Sequence, residues 1–595
     1  MNKVKHFLSV VISTLALLCS GHALPRTDAP ISPNVPFLLM WNAPSELCEI
    51  RFGVPLDLSY FHFVSSTLKS ATGQSISIFY TDRFGIFPYV DEDTGEMYDE
   101  GLPQLIDLQE HHALAADDIK YYIPTDQLGL AVLDFEEWRP QWVRNWGSKD
   151  IYRQFSIETV KANNASLSDE AAEDRAKVVF ERAAKKYFLR SLRLGKKLRP
   201  NRLWGYYLYP DCYNYDYNQD MDGFTGECPA IEKDRNDQLL WLWKESTALY
   251  PSIYLELALK NTKQGRLFVR HRIREAMRVS TLSNSSYSTP IYAYIRPVYK
   301  DSVDDYLSMD DLVSTIGEAA ALGAAGIVSW GDMNITDTEE SCVDAVVHLN
   351  RVMNPYIVNV SKAAELCSRA LCQDRGRCVR KRWDDEVYLH LDIHRYRIHK
   401  VQSRYRVEGR LSQEDVDFYD HNFDCMCYSE EPCRSVLPIN TIHEAAVNPA
   451  PPAGDDHTLS EVCRDVNVNY ERDMSISVTV FRPVVLPEPP TSWRTSGLVA
   501  MAAWLLSTNP AQRCQPSQDV RLIPVKTVLG AVWRRTSGLV AMAAWLLSTN
   551  PAQRCQPSQD VRLIPVKTVL GAVWRRSASS LLSTGASVYP LPHCV

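Results

Sequence analysis

GLAVLDFEEWRPQWVRNWG, residues 129–147, runs from an apolar segment (Leu130, Ala131, Val132, Leu133) straight into Asp134, Phe135, Glu136 and Glu137, then Trp138, Arg139 and Pro140. In a β-strand successive side chains face opposite sides, so the spacing predicts Asp134 and Glu136 on one side and Phe135 on the other. Two carboxyls in one small space resist double ionisation. One of them, shielded by the aromatics around it, is expected to hold its proton near neutral pH. A carboxyl in that state can donate to a leaving group as a general acid.

Outward from this stretch the chain is long and mostly globular in composition. Its 595 residues suggest two or three domains, and 45% hydrophobic with 23% charged residues is ample material for a large core. A net charge of −8 provides no overall attraction to polyanions, nucleic acid included, so an acidic substrate has to be held by local Arg and Lys. Lys3 and Lys5, an apolar run from Phe7 to Cys19, and Gly21, His22 and Ala23 read as a signal peptide over residues 1–23. The run is shorter than the roughly 20 residues a membrane span needs. An oxidising compartment follows, and the fifteen cysteines suit it. Asn164, Asn284, Asn334 and Asn359 each open an N-x-S/T acceptor for glycosylation.

Buried strands are expected at Phe37 to Trp41, Ser75 to Tyr80, Ile119 to Ile123, Gly129 onward, Leu203 to Tyr209, Ser252 to Leu257, Pro290 to Ile295 and Ala325 to Trp330. Ser168 is a plausible N-cap of a long helix whose face is Val179, Phe180, Ala183, Ala184 and Tyr187, closed by Lys196, Lys197, Arg199 and Pro200. A second helix is expected over Met309 to Leu322. Strands alternating with helices point to an α/β protein, either a parallel barrel or a doubly wound open sheet, and periodicity alone does not separate them.

From Cys367 the character changes. Cys367, Cys372, Cys378, Cys425, Cys427 and Cys433 crowd together, and six cysteines allow fifteen connectivities. A secreted context and uneven spacing favour a disulfide scaffold over a zinc module. His390, His394 and His399 lie in YLHLDIHRYRIH; on a strand His390 and His394 share a face and His399 takes the other, so a surface strand touching polyanions is expected and no metal. Beyond Val436 come proline-rich linkers, then a 41-residue segment present twice without change, 494–534 and 535–575. This tail, 436–595, is read as non-globular and is assigned no function. The final SVYPLPHCV is not the hydrophobic end that a lipid-anchor signal needs, and the apolar runs before it are too short to span.

The string DFEEWRP with its following W and NW resembles the hyaluronidases, glycosidases that cut hyaluronan at its N-acetylglucosaminide bonds. Four further pieces match in order: IFYTDRFGIFPY (78–89), LWGYYLYPDCYNYD (203–216), TALYPSIY (247–254) and GAAGIVSWG (323–331). The resemblance covers Pro36 to about Cys433 and is greatest to the sperm-surface and related vertebrate enzymes. It implies an irregular (β/α) TIM-like barrel over 24–362, then an EGF-like disulfide module over 363–435. It also implies pairing of Cys367 with Cys378, Cys372 with Cys425, Cys427 with Cys433, Cys48 with Cys342, and Cys212 with Cys228. Phe135 departs from the Trp of many relatives, a change between aromatics that leaves both carboxyls in place.

Carried over residue by residue, the resemblance makes Glu136 the acid and base and Asp134 the carboxyl sharing its proton. It makes Tyr207 and Tyr254 contacts of the substrate, Trp330 the wall of the sugar pocket, Tyr80 a groove residue, and Arg139 a cation for the glucuronate. Read as isolated strand residues, the four aromatics are core, and Arg139 equally suits a structural salt bridge. Asp134 is a poor enzymic nucleophile, because neighbours on one strand face point the same way, whereas a retaining pair flanks the bond from opposite sides about 5 Å apart. The substrate's own acetamido carbonyl is expected to attack instead, with no cofactor. The expected function is endo-hydrolysis of hyaluronan, with chondroitin a secondary substrate, by a secreted enzyme; the sperm surface, acrosome or lysosome are the other locations, and passage of sperm through the egg matrix is the implied role. The competing class is a catalytically weak adhesion protein that binds hyaluronan or an egg coat. A chitinase-type enzyme also uses DxE strands, but WRP and the cysteine frame argue against it.

Overall fold

The computed structural model describes residues 24–402 and 404–436. Of the chain's two units, Met1–Asn467 and Val468–Val595, the first contains all of these residues. The expected signal segment, the duplicated tail and its end lie outside the described residues.

Seven strands pair in parallel: β1 (Leu38–Asn42), β2 (Phe63–Ser65), β3 (Ile76–Phe79), β4 (Gly129–Leu133), β5 (Arg202–Tyr206), β6 (Tyr292–Ile295) and β7 (Gly326–Trp330). Their order is β2-β1-β7-β6 in one sheet and β3-β4-β5 in the other. Alternation along each strand divides its side chains between two cores. Leu38, Met40, Ile76, Ile78, Leu130, Val132, Tyr292, Tyr294 and Val328 pack with one another. Leu39, Trp41, Phe79, Ala131, Leu133, Ala293, Ile295 and Ile327 pack instead against the larger core that includes the helices. Near-continuous apolar strands are the sequence form of a parallel sheet covered on both faces.

Local chemistry sets where β4 begins. Gly129 has φ +141°, and a Cβ there would lie 2.0 Å from the Ser75 carbonyl oxygen, so no other residue fits. The buried Arg202 guanidinium then ties three strand starts together, donating to the carbonyls of Ser75 at 2.7 Å, Leu130 at 3.2 Å and Gln74 at 2.6 Å.

Three expectations are corrected. Ile119 to Ile123 is the last turn of helix α1 (Leu108–Tyr122), not a strand: Asp107 caps its start and Ala115, Ile119 and Tyr122 bury one face at helical spacing. Ser252 to Leu257 forms no strand. The chain there makes single parallel bridges, Tyr207 with Tyr250, Leu249 with Ile291 and Ser252 with Tyr294, because Pro251 has a carbonyl for the ladder but no N–H. His390 and His394 do not share a strand; His399 alone of the three lies in one. The other expected strands appear with ends shifted by up to three residues, the largest shift being Leu203 to Tyr209, observed as Arg202–Tyr206. Helices α2 (Asp150–Asn163) and α3 (Asp169–Leu198) follow β4, and Ser168 caps α3 through the Ala171 N–H. The Met309 helix is continuous to Ala321 through a π-turn, Val313–Gly317.

Helix α4 (Lys263–Ser280) and helix α5 (Asn354–Cys372) complete the scaffold, and α5 runs unbroken across residue 362. Beyond it β8 (Gly376–Arg380) pairs antiparallel with the later strand Phe423–Cys427, and Arg397–Val401 pairs with Arg404–Glu408. Disulfides join Cys48–Cys342, Cys212–Cys228, Cys367–Cys378, Cys372–Cys425 and Cys427–Cys433. One buried carboxylate links the two regions: Glu318 accepts from Arg270 of α4 at 2.7 Å and from Arg380 of β8 at 2.5 Å. The same guanidiniums hold the carbonyls of Asp384 and Val387. Glu318→Gln leaves two buried cations without a counter-charge. We expect it to lower stability by about 3–5 kcal/mol, read as a lower urea midpoint by tryptophan fluorescence.

Candidate active site

Parallel strands bring their C-terminal ends to one side, and the chemistry-bearing residues lie at those ends. Tyr80 follows β3, Asp134 follows β4, Tyr207 follows β5, and Trp330 ends β7. Tyr254 arrives on the segment that bridges β5 and β6. Backbone bonds carry the pairing one residue further, from Asp134 N to the Phe79 carbonyl at 2.9 Å and from Tyr207 N to the Leu133 carbonyl at 2.9 Å. Gly205 allows the close approach that places Tyr254, since a Cβ there would lie 2.3 Å from the Ala248 carbonyl.

β4 ends at Leu133, so Asp134, Phe135 and Glu136 stand just past the strand. Phe135 turns away into an aromatic stack, 4.4 Å from Phe87 and 5.7 Å from Tyr206 between ring centroids. Phe87 stacks in turn on Trp138 at 5.6 Å, and the Trp138 indole donates to the Pro88 carbonyl. This packing fixes the segment carrying the two carboxyls. They differ sharply in environment: the Glu136 side chain is 49% exposed, whereas Asp134 Oδ1 is buried with no hydrogen-bond partner. Burial first, and then the charges of Glu136 and Glu137, push the Asp134 carboxyl well above its ordinary range.

Around the pair stands a wall of aromatics. The Trp330 indole donates to the Tyr80 hydroxyl at 2.9 Å and its ring stacks on Tyr254, centroids 6.3 Å apart. Tyr254 lies 6.2 Å from Tyr207, which meets Tyr294 edge-on at 5.1 Å. Tyr207 is buried, and burial followed by the charge of Glu136 raises its phenol, so it stays a neutral donor. Arg139 donates to the Glu136 backbone carbonyl and lies 3.7 Å from its carboxylate. Asn145, wholly buried, accepts from the Arg139 N–H at 2.8 Å and donates to the Arg139 carbonyl at 2.9 Å, which locks the turn. The structure thus gathers Asp134, Glu136, Tyr80, Tyr207, Tyr254, Trp330 and Arg139.

Sequence reasoning passed over Tyr294, Asn145 and Arg296. Tyr294 falls inside the expected strand Pro290 to Ile295, two residues from Tyr292 and so on the same face, and Arg296, 5.5 Å above the Trp330 ring and paired with Asp332 at 2.9 Å, follows at the same spacing. Asn145 stood in the NW that follows the central string, but nothing in the sequence pointed to its bonds with Arg139.

Elsewhere, His390 is half-buried against the Tyr356 hydroxyl at 3.0 Å, with burial lowering its pKa to about 4, and His399 meets Glu408 at 3.1 Å. Among the described residues no group of His, Cys, Asp or Glu converges to hold a metal ion, and no helix is long and apolar enough to cross a membrane. Asn164 and Asn284 are exposed, each amide oxygen accepting from the hydroxyl two residues on, at 2.7 Å. Asn334 is exposed, and Asn359 is half-buried with its oxygen taken by the Leu391 N–H at 2.9 Å.

Comparison with known proteins identifies the family. The glycoside hydrolase 56 model, described as hyaluronidase, matches residues 26–436. The chain belongs to the hyaluronidase family. Mouse hyaluronidase-5 is 48% identical over 73% of this chain and 80% of its own length. Human hyaluronidase PH-20 is 46% identical over 72% of this chain and 84% of its own. Among solved structures, bee venom hyaluronidase in complex with a hyaluronic acid tetramer is 29% identical with a TM-score of 0.48, covering 54% of this chain and 98% of that one.

The buried carboxyl of this hyaluronidase-family site has a stability consequence. With its folded pKa above the unfolded one, native Asp134 keeps a proton that the unfolded chain has lost. Its stabilising contribution is full below about pH 4 and is lost as pH rises through the folded pKa. Asp134→Asn is therefore expected to melt at a higher temperature than wild type at neutral pH, with the two melting curves converging toward pH 4. Equal melting temperatures at both pH values contradict this.

Proposed function

We propose that this protein is an endo-hexosaminidase that cuts hyaluronan between N-acetylglucosamine and glucuronate, with chondroitin as a secondary substrate. The observation that carries the reading is the asymmetry of the carboxyl pair, one oxygen buried and unpartnered and one carboxyl open to a groove walled by tyrosines and a tryptophan, in a chain of the hyaluronidase family. Asp134 keeps a proton available, and Glu136, the exposed member, delivers it to the glycosidic oxygen as the bond to the sugar C1 breaks.

The acetamido carbonyl oxygen of the same sugar forms the replacing bond to C1. Neutral Tyr207 and Tyr254 hold that group and stabilise the charge that develops on the ring it closes. Water then adds at C1, its proton passing to Glu136, and the acetamido bond to C1 breaks, which regenerates the acid with retention at C1. Trp330 and Tyr80, held to each other, provide the flat wall on which a sugar face packs, and Arg139 faces the glucuronate. Human hyaluronidase PH-20 and mouse hyaluronidase-5 bear names of this activity, and the bee venom enzyme was solved with a hyaluronic acid tetramer.

For the scaffold we propose an irregular (β/α) barrel over 24–362. β2-β1-β7-β6, the bridging segment and β5-β4-β3 make one circuit, and the Ile76 N–H donating to Ser65 Oγ at 3.0 Å spans the remaining gap between β3 and β2. The inward core of alternating residues supports closure. Residues 363–435, stapled by three of the five disulfides, form the EGF-like module in this reading. The apolar leader, sequons and disulfides support export from the cell.

The test is hyaluronan and chondroitin depolymerisation by the full-length secreted protein beside Glu136→Gln. Glu136→Gln is expected to lose about 10²–10⁴-fold in rate while remaining bound to immobilised hyaluronan, and the wild type to release mid-sized oligomers before small ones. Retention on hyaluronan by folded wild type without cleavage at any pH sinks the enzyme and favours the adhesion protein.

A further inference from the structure

Glu137 has no part in the chemistry assigned to its neighbours, yet its carboxylate is folded back onto them. Its Oε2 accepts from the Glu136 backbone N–H at 3.2 Å. An acid beside an exposed catalytic residue ordinarily points into solvent; this one is half-buried. The segment it braces is otherwise held at Asp134 by the bond to Phe79, at Phe135 and Trp138 by aromatic packing, at Arg139 by Asn145, and at the Glu136 carbonyl by the Arg139 guanidinium, which leaves the Glu136 N–H to Glu137. Glu136 itself projects between those anchors, and its N–H has the Glu137 carboxylate as acceptor.

We propose that Glu137 is a positioning residue for the acid: as a carboxylate it fixes the backbone of Glu136, and its charge sets how far up the pH scale the Asp134–Glu136 pair retains the shared proton. This rests on the reading of that pair as the general acid.

The charged and titratable groups facing Glu137 determine the sign. On its own segment these are Asp134, Glu136 and Arg139. Lys149 stands immediately before α2, with Tyr152 within it, Tyr187 on α3, and Tyr89 on the short pairing of Tyr89–Val90 with Met97–Tyr98. Burial raises all three phenols, which leaves them neutral at working pH. Lys149, the opposing cation, is shared with Glu92 at 3.2 Å. The remaining influence on the pair is like-charge repulsion, which favours the protonated form. Burial also raises the Glu137 carboxyl, so its charge is lost above the ordinary carboxylate range as pH falls.

Two substitutions separate charge from position. Glu137→Gln removes the charge and keeps an acceptor oxygen for the Glu136 N–H; Glu137→Ala removes both. With full-length secreted protein and hyaluronan as substrate, the alkaline limb of kcat/KM is expected to move to lower pH in both variants, by about half to one pH unit. The Ala variant is also expected to lose kcat roughly tenfold to hundredfold, most of it recovered in the Gln variant. An alkaline limb that stays in place in both variants overturns the electrostatic role, and equal kcat in Gln and Ala variants overturns the positioning role. Glu136→Gln run alongside keeps the underlying reading separate: its retention of activity refutes Glu136 as the acid whatever Glu137 does, whereas its loss with unmoved Glu137 profiles refutes this inference alone.

Discussion

A carboxyl taken out of water with neither a cation nor a hydrogen bond on one of its oxygens resists ionisation, and this protein keeps such a group at the end of its central strand. The position is destabilising at neutral pH, so the surroundings have to hold it there. They do so by packing. Phe135 and Trp138, on either side of Glu136, are sunk into stacked aromatics, and neither can move without opening the larger core. The carboxyl pair is thereby a feature of the scaffold more than of a flexible loop.

The same logic runs down the strands to their other ends. Arg202 is buried among carbonyls and the Gln127 amide, and burial draws its pKa down to about 10. Five donors in a fixed fork suit this task, because one side chain can satisfy several carbonyls that point out of three strand starts. Gly129 makes room beside it and Gly205 admits the bridging segment further along. Strands pinned at their starts deliver Tyr80, Asp134 and Tyr207 at one level, since parallel pairing leaves little freedom of register once the starts are set.

What could be read without coordinates follows from which forces are local. The strand at Gly129 and the long helix from Ser168 are legible because an apolar run and a capped amphipathic face carry their own signal. Ile119 to Ile123 misled because a short apolar run looks alike in helix and strand, and the Asp107 cap that decides between them lies twelve positions upstream. Ser252 to Leu257 misled because a single proline converts a ladder into isolated bridges. At the site, residue types and order named the carboxyls and aromatics. The depth difference between Asp134 and Glu136, and the grip of Asn145 on Arg139, depend on distant packing that no spacing encodes. Nor could spacing select five disulfides from the connectivities open to the cysteines.

The cations near the site complete the physical account. With a net charge of −8 the protein has no general pull on a polyanion, and the guanidiniums lining this region are already engaged: Arg139 with Glu136, Arg296 with Asp332, Arg144 with Glu232 at 2.6 Å. Under the proposed function a glucuronate competes with these carboxylates for a guanidinium, and the flat aromatic wall and neutral phenols supply the other contacts to the polymer. Arg139 is the informative case, because its carboxylate is Glu136. When Glu136 holds the proton that the proposed mechanism requires, its claim on Arg139 weakens and the guanidinium becomes available to an incoming carboxylate. Under that mechanism the acid form binds substrate and cleaves it for one electrostatic reason, so affinity and catalysis rise together as the pair is protonated.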